Sequence, residues 1–241
     1  MKLSIIIPAF NEEKLLEATL HRVRQAAAIL PGRGWDWELV VCDNNSTDST
    51  PEIARRAGAV VIFEPVNQIA RARNTGAGAA TGDWLVFIDA DSHPSPGLFS
   101  ELVDVVNRGK TIAGGCTLTL DKGGILPRML VRFWNVLSRV RGWAAGSFVY
   151  CSTEVFREIG GFSVELFAGE EIDLFERLRR EARRRGGRIH ILSRHPLVTS
   201  SRKMDLYTPA EHLRFFFRTL FTGGRTLKRR EDCHTWYDGR R

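Results

Sequence analysis

The sequence predicts an α/β fold, a mostly parallel sheet flanked by helices in a single domain. Two observations predict it. Through the first hundred residues, short apolar runs rich in β-branched side chains alternate with longer amphipathic ones, which is the rhythm of βαβ units. Polar clusters follow those runs directly, at the strand ends where a parallel sheet gathers its ligand-binding loops.

Taken in order, residues 3–7 form the first strand, and residues 12–30 place Leu15, Leu16, Ala18, Leu20 and Val23 at helical spacing, with Pro31-Gly32 closing that helix. Residues 37–42, 59–63 and 84–88 read as further strands, with crossover helices over 48–57 and 68–80. Ser46-Thr47-Asp48 offers capping side chains to the first crossover helix, and Pro51 suits its first turn. After residue 95 the rhythm changes. A helix is expected over 96–108, a strand over 111–120 broken by Gly114-Gly115, and a helix over 126–140 with Phe133 and Trp134 on its apolar side. There follow a Gly-rich stretch, a short helix from Thr153, the loop Gly160-Gly161-Phe162, a charged helix over 170–185, a strand over 189–192 and an amphipathic helix over 209–221. No linker or repeat divides the chain, so the expected organisation is one domain with a nucleotide-binding half, 1–95, and an acceptor half, 96–241.

The 241 residues are 43% hydrophobic and 26% charged, which excludes a fibrous or disordered chain. The longest uncharged stretch, 142–153, is shorter than the roughly 18 to 20 residues of a membrane-spanning helix. Met1-Lys2 runs straight into a strand without a leader pattern, so the expected location is cytoplasmic, with contact at the inner membrane face left open. Cys42, Cys116, Cys151 and Cys233 lack redox or metal spacing and read as reduced thiols. Residues 1–100 carry a net charge of −3 and residues 101–241 a net of +10, so the second half suits an anionic partner. Composition leaves nucleic acid, lipid headgroups and a phosphorylated substrate all open.

The chemistry-bearing residues sit at strand ends. Asp89-Ala90-Asp91 follows the apolar run 84–88, and extended backbone would turn both carboxylates to one side, where they repel unless a hard cation, Mg²⁺ or Mn²⁺, sits between them. The alternative is a solvated turn. Asp43 could accept a nucleobase N–H or a ribose hydroxyl, or serve only the turn Asp43-Asn44-Asn45-Ser46. Asn11 and Glu12 suit either a ligand or the cap of the first helix, and Glu13 suits the cap. Of Arg71 and Arg73, on a helix of small residues, one reaches a phosphate and the other faces solvent. The run 76–82 imitates a dinucleotide fingerprint but has one residue too many and ends a helix; no P-loop, Gly-x-Ser-x-Gly motif or zinc set is present.

Together these clusters resemble the family 2 glycosyltransferases of GT-A, Rossmann-like fold. The resemblance rests on Ile5-Ile6-Ile7-Pro8-Ala9-Phe10-Asn11-Glu12, Val41-Cys42-Asp43-Asn44-Asn45-Ser46-Thr47-Asp48, Ala72-Arg73-Asn74-Thr75-Gly76, Gly82-Asp83-Trp84-Leu85-Val86-Phe87-Ile88-Asp89-Ala90-Asp91 and Gly160-Gly161-Phe162 leading to Gly169-Glu170-Glu171-Ile172-Asp173. It implies transfer of a sugar, with inversion, from a UDP- or GDP-type sugar to the hydroxyl of a lipid, saccharide or small-molecule acceptor. Pro8, Phe10, Asn11, Glu12, Asp43 and Asn45 would hold the nucleoside, Arg71 and Ala90 would lie near the donor, Asp89 would meet ribose or metal, and Asp91 the metal. The family's Glu-Asp pair reads Glu170-Glu171 here, which puts Glu171 in the place of the general base, with Glu170 and Asp173 as the other contenders. Arg202 or Lys203 would face the leaving diphosphate, and His195 is either a surface residue or a further metal or phosphate contact.

Leu213, Phe215, Phe216, Phe217, Leu220 and Phe221 beside Arg214 and Arg218 suggest peripheral contact with anionic membrane. The competing readings are a sugar-nucleotide pyrophosphorylase, whose Gly-rich N-terminal phosphate loop is missing, a binding-only homologue, and a nucleic-acid binder. The acidic strand ends of the first half argue against a nucleic-acid partner.

Overall fold

The computed structural model describes residues 1–122, 124–201 and 225–233. Its first half follows the predicted rhythm: β1 (Lys2–Ala9), α1 (Leu16–Ala27), β2 (Asp36–Asp43), α2 (Thr50–Arg56), β3 (Val60–Phe63), α3 (Ile69–Ala79) and β4 (Trp84–Ile88). Next come the short β5 (Ser92–His93), α4 (Pro96–Asn107), β6 (Thr111–Leu120), α5 (Ile125–Arg141), β7 (Phe148–Ser152), α6 (Thr153–Glu158), α7 (Glu170–Arg185) and β8 (Arg188–Thr199). One eight-stranded sheet in the order β3-β2-β1-β4-β7-β6-β8-β5 runs through both halves.

β1 to β4 are mutually parallel and β6 is parallel to β8, while β7 and β5 run the other way. The start of β7 therefore lies at the same sheet edge as the carboxyl ends of β1, β2, β4, β6 and β8. β7 lies within the stretch read as merely Gly-rich. Its run Phe148-Val149-Tyr150-Cys151 is buried on both faces between β4 and β6, so it shows no alternation to mark a strand.

β8 is longer than predicted because it resumes after an interruption. Register jumps from Cys116 opposite Leu192 to Leu118 opposite Leu197, so residues 193–196 bulge out of the ladder. The buried Glu101 carboxylate on α4 accepts the N–H groups of Ser193, Arg194 and His195 at 3.0–3.2 Å. Those donors would otherwise be orphaned.

Two apolar layers cover the sheet. Leu16, Leu20 and Val23 of α1 and Phe99, Leu102 and Val103 of α4 fill one face with Ile5, Ile7, Val41 and Val86. Ala70 and Ala77 of α3 and Leu174, Phe175 and Leu178 of α7 fill the other with Ile6, Val40, Leu85 and Phe87. The small residues of α3 let it approach the sheet closely. A Cβ at Gly76 would come within 2.6 Å of Ile6, so a side chain there would force the helix off β1.

Candidate active site

At the carboxyl edge the chain leaves β1 through Asn11, in left-handed backbone with φ 52°. The Asn11 N–H donates to Ser46 Oγ at 3.0 Å, and its Oδ1 accepts the Thr47 N–H at 2.8 Å. Glu12 donates its N–H to Thr50 Oγ1 at 2.8 Å, and its carbonyl accepts from Leu15 and Leu16 as α1 begins. Glu13 and Asp48 complete the seam, Glu13 N–H to Asp48 Oδ2 at 3.1 Å and Ser49 N–H to Glu13 Oε2 at 3.3 Å. Pro8 is buried within β1 opposite Cys42, and Phe10 is half-buried where β1 ends.

Asp43, the last residue of β2, is buried, and its Oδ1 accepts the Ser46 N–H at 3.0 Å, closing the loop that carries exposed Asn45 at φ 67°. Asn44 fixes the neighbouring loop, donating to the carbonyls of Glu64 and Val66 and accepting the Gln68 N–H at 2.9 Å. The Asp48 carboxylate, not Ser46 or Thr47, accepts a helical N–H, that of Thr50 at 3.0 Å.

The reading of Asp89-Ala90-Asp91 as extended backbone is corrected. β4 ends at Ile88, and the Ser92 N–H donates to the Asp89 carbonyl at 3.1 Å, so the three residues lie in a turn. Ala90 is buried, its carbonyl accepting the Thr19 hydroxyl at 2.7 Å. Asp91 is buried, and its carbonyl accepts the Ser200 N–H at 3.2 Å, which ties the end of β8 to the turn.

Arg73 on α3, 1% exposed, is the hub of the edge. Its Nη1 donates to Glu170 Oε1 at 2.6 Å and its Nη2 to Asp89 Oδ1 at 3.0 Å and the Gly146 carbonyl at 3.1 Å. The guanidinium also lies 5.1 Å from the centre of the Phe162 ring. Burial alone would weaken its hold on the proton, but Asp89, Glu170 and Glu171 outweigh that and keep it charged. Gly146 is glycine for a steric reason, since a Cβ there would lie 2.7 Å from Arg73 Nη2. Next to Arg73, Asn74 pins the loop before α7, donating to the Phe162 carbonyl at 2.8 Å and accepting its N–H at 2.9 Å. Gln68 adds bonds to the carbonyls of Val164 and Leu166 and accepts the Arg71 Nε–H at 3.1 Å.

The three acidic residues opening α7 differ in their commitments. Glu170 is buried against Arg73, while Asp173 pairs with Arg177 one turn on, at 2.7 Å. Glu171 enters neither pair. It is half-buried, and desolvation first, then the Glu170 carboxylate, push its carboxyl up to about 8 against the opposing pull of Arg73. A carboxyl of that kind exchanges a proton near neutral pH.

Residues 4–159 match the model of glycosyl transferase family 2. The chain belongs to that family. Family membership favours sugar transfer over the nucleotidyltransferase alternative. An uncharacterized glycosyltransferase of Mycobacterium tuberculosis is 36% identical over 112 residues, 46% of this chain and 47% of that relative. Dolichol-phosphate mannosyltransferase of Pyrococcus furiosus is 33% identical over 132 residues, 52% of this chain and 35% of that protein. The chain thus spans half or less of the length of these curated relatives. Among solved structures, residues 1–349 of S. aureus TarS superpose with a TM-score of 0.66 at 22% identity, covering 84% of this chain and 61% of that fragment. Mannosyltransferase PcManGT from Pyrobaculum calidifontis, solved with GDP-Man and Mn²⁺, does so with a TM-score of 0.63 at 23% identity, covering 88% and 59%. These likenesses show the GT-A fold.

Placed on this family 2 framework, the strand-end residues Asp43, Asp89 and Asp91 share one edge with Glu170 and Glu171, whereas His195 sits exposed in the β8 bulge against Gly97. Arg202, Lys203 and the helix expected over 209–221 lie outside the described residues. Among the described residues no helix is long and apolar enough to cross a membrane. Arg73 was the arginine to single out, and a signal for it existed. It shares a helical face with Ala70, Gly76 and Ala77, the face that packs on the sheet, while Arg71 does not.

Proposed function

We propose that this chain transfers a sugar, with inversion, from a UDP- or GDP-type sugar to an acceptor hydroxyl, and that Glu171 is the base that takes the hydroxyl proton. The observation that carries this reading is the division of labour on α7. Glu170 and Asp173 are tied to arginines, and Glu171, with raised proton affinity, is the acidic residue left to accept a proton. Its protonation after attack returns it to the form that its surroundings favour.

On the donor side, Asp43 accepts an N–H of the base, the loops of residues 8–12 and Asn45 enclose the nucleoside, and Arg71 and the segment after Thr199 meet the diphosphate. Solved structures of similar fold hold such ligands: TarS with UDP and with UDP-GlcNAc, and glucosyl-3-phosphoglycerate synthase of Mycobacterium tuberculosis with Mn²⁺ and UDP.

Among the described residues no three His, Cys, Asp or Glu side chains form a closed cation cage. An Asp carboxylate at a strand-end turn still fits a divalent cation completed by donor phosphates, because Mg²⁺ and Mn²⁺ commonly take only one or two protein carboxylates. Asp91 is the holder in this reading, with Asp89 contributing only the oxygen not engaged by Arg73. The cation would offset the charge gathering on the leaving diphosphate.

The test is a thermal-shift screen of UDP-, GDP- and dTDP-sugars with and without Mn²⁺, followed by transfer assays. Metal-dependent stabilisation that Asp91→Ala abolishes is expected, and Glu171→Gln should keep the stabilisation while losing transfer. A fully active Glu171→Gln enzyme removes Glu171 as base. Nucleotide binding without transfer to any hydroxyl would point to a binding-only homologue.

A further inference from the structure

An ordinary surface helix turns its apolar side inward. α5 is apolar on both sides. Its inward side sets partly buried Val131, Trp134 and Leu137 beside two polar anchors: Asn135 clasps β6 by accepting the Leu118 N–H and donating to the Leu118 carbonyl, both at 2.9 Å, and buried Ser138 donates to the Trp143 carbonyl. Its outward side is apolar, with Ile125 81%, Met129 60%, Phe133 69%, Val136 51% and Val140 76% exposed. Those five side chains fall within about 80° on a helix of 3.6 residues per turn, a single stripe along its length. Six of the eleven large apolar side chains exposed among the described residues, with Leu130 as the sixth, belong to this helix.

The charges beside the stripe identify its partner. α5 contains Arg128, Arg132, Arg139 and Arg141, all exposed, and no Asp or Glu. Helical spacing places Arg128, Arg132 and Arg139 along one flank of the stripe. A second copy docked antiparallel through the same face would bring like-charged flanks together across the two-fold axis, and in either orientation it would add a second basic helix with no acidic side chain to the interface. Residues 202–224 of this chain, with four basic and two acidic side chains, would likewise meet the arginines with net positive charge. An anionic bilayer surface satisfies both parts at once: the acyl boundary takes the apolar stripe and the headgroups take the arginines.

We infer that α5 is an in-plane membrane-docking helix that holds this chain on an anionic lipid surface through Met129, Phe133 and Val136 in the acyl boundary and Arg128, Arg132 and Arg139 among the headgroups. The surface is independent of the transfer chemistry and stands whatever the donor or acceptor is. The helix leads through residues 142–147 to the Gly146 carbonyl held by Arg73, so docking sets the active edge close to the bilayer.

Co-sedimentation of the full chain with phosphatidylglycerol-containing and pure phosphatidylcholine vesicles tests this. Binding to the anionic vesicles is expected to weaken about tenfold or more in Phe133→Asp. Arg128→Glu combined with Arg132→Glu should remove the preference for anionic over neutral vesicles, with the melting temperature unchanged in both variants. Equal binding by wild type and both variants, or no binding by wild type, overturns the inference. So does a loss of melting temperature in Phe133→Asp, which would show the stripe covered by the chain itself, and so does a dimer in light scattering that Phe133→Asp dissociates.

Discussion

The strand-end loops around Asn11 and Asp43 and the charged cluster around Arg73 share one sheet edge but are held in opposite ways. The loops are stitched by many short bonds between neutral groups and backbone, from Asn11 to Ser46 and Thr47, from Glu12 to Thr50 and from Asn44 to three neighbours. Each such bond contributes a net of about 1 kcal/mol, and each has others beside it. The cluster has one buried cation, Arg73, facing Asp89, Glu170 and Glu171. Redundant hydrogen bonding makes the loops a tolerant scaffold, whereas concentrated charge makes the cluster both fragile and chemically responsive.

The sharpest way to break the comparison is at its centre. Arg73→Met leaves two carboxylates buried without their cation and is expected to cost about 3–5 kcal/mol in urea unfolding. A loss near 1 kcal/mol would put the cluster on the same footing as the loops.

The responsive side of the comparison is read by pH. Glu171 holds its proton more tightly in the folded chain than in the unfolded one, so its contribution to stability is present at low pH and is lost as pH rises through about 8. With Glu171 as the proposed base, transfer needs its deprotonated carboxylate, so kcat/KM is expected to climb over the same window. Parallel melting and rate profiles, flattened together in Glu171→Gln, check both directions. A rate that is level across the window would separate the titration from the chemistry.

The tolerant side should yield less. Asn11→Ala loses its bond to Thr47 and places alanine at positive φ, for about 1–2 kcal/mol, while Asn11→Gly relieves the backbone and costs less. Melting curves of the pair report the difference. Smallest of all, Asp173→Asn breaks only a partly exposed i,i+4 pair with Arg177, within about 0.5 kcal/mol, and leaves transfer intact. If transfer collapses in Asp173→Asn as well, the base has been assigned to the wrong carboxylate.

Much of the fold was legible because the first half repeats a local signal. β4 matches the predicted 84–88, and β1, β2 and β3 differ from prediction only at their ends. β7 was illegible because its short apolar run, unlike that of β4, follows closely on Gly142 to Gly146 and lies outside the regular βα rhythm of the first half. The continuation of β8 was illegible because its resumption depends on Glu101, some ninety residues earlier, satisfying the bulge. At the site, the convergence of residues 9–12, 43–48 and 89–91 follows from parallel strands and could be read in advance. The choice of Arg73 over Arg71 was legible in the helical face it shares with Ala70, Gly76 and Ala77, whereas its partners Glu170 and Gly146 were not, because they arrive from the second half.

That arrival has a consequence for how the molecule forms. Arg73 meets Glu170 across 97 positions of sequence, Asn74 meets Phe162 across 88, and Gln68 meets Val164 and Leu166 across 96 and 98. Closing loops of that length costs chain entropy before any contact repays it. While the chain emerges from the ribosome, β1 to β4 can pair among themselves, but Arg73 has no carboxylate from α7 until residue 170 has been made. The edge around Arg73 is therefore a late product of folding, and a truncated nascent chain would carry the strand-end loops without the charged cluster.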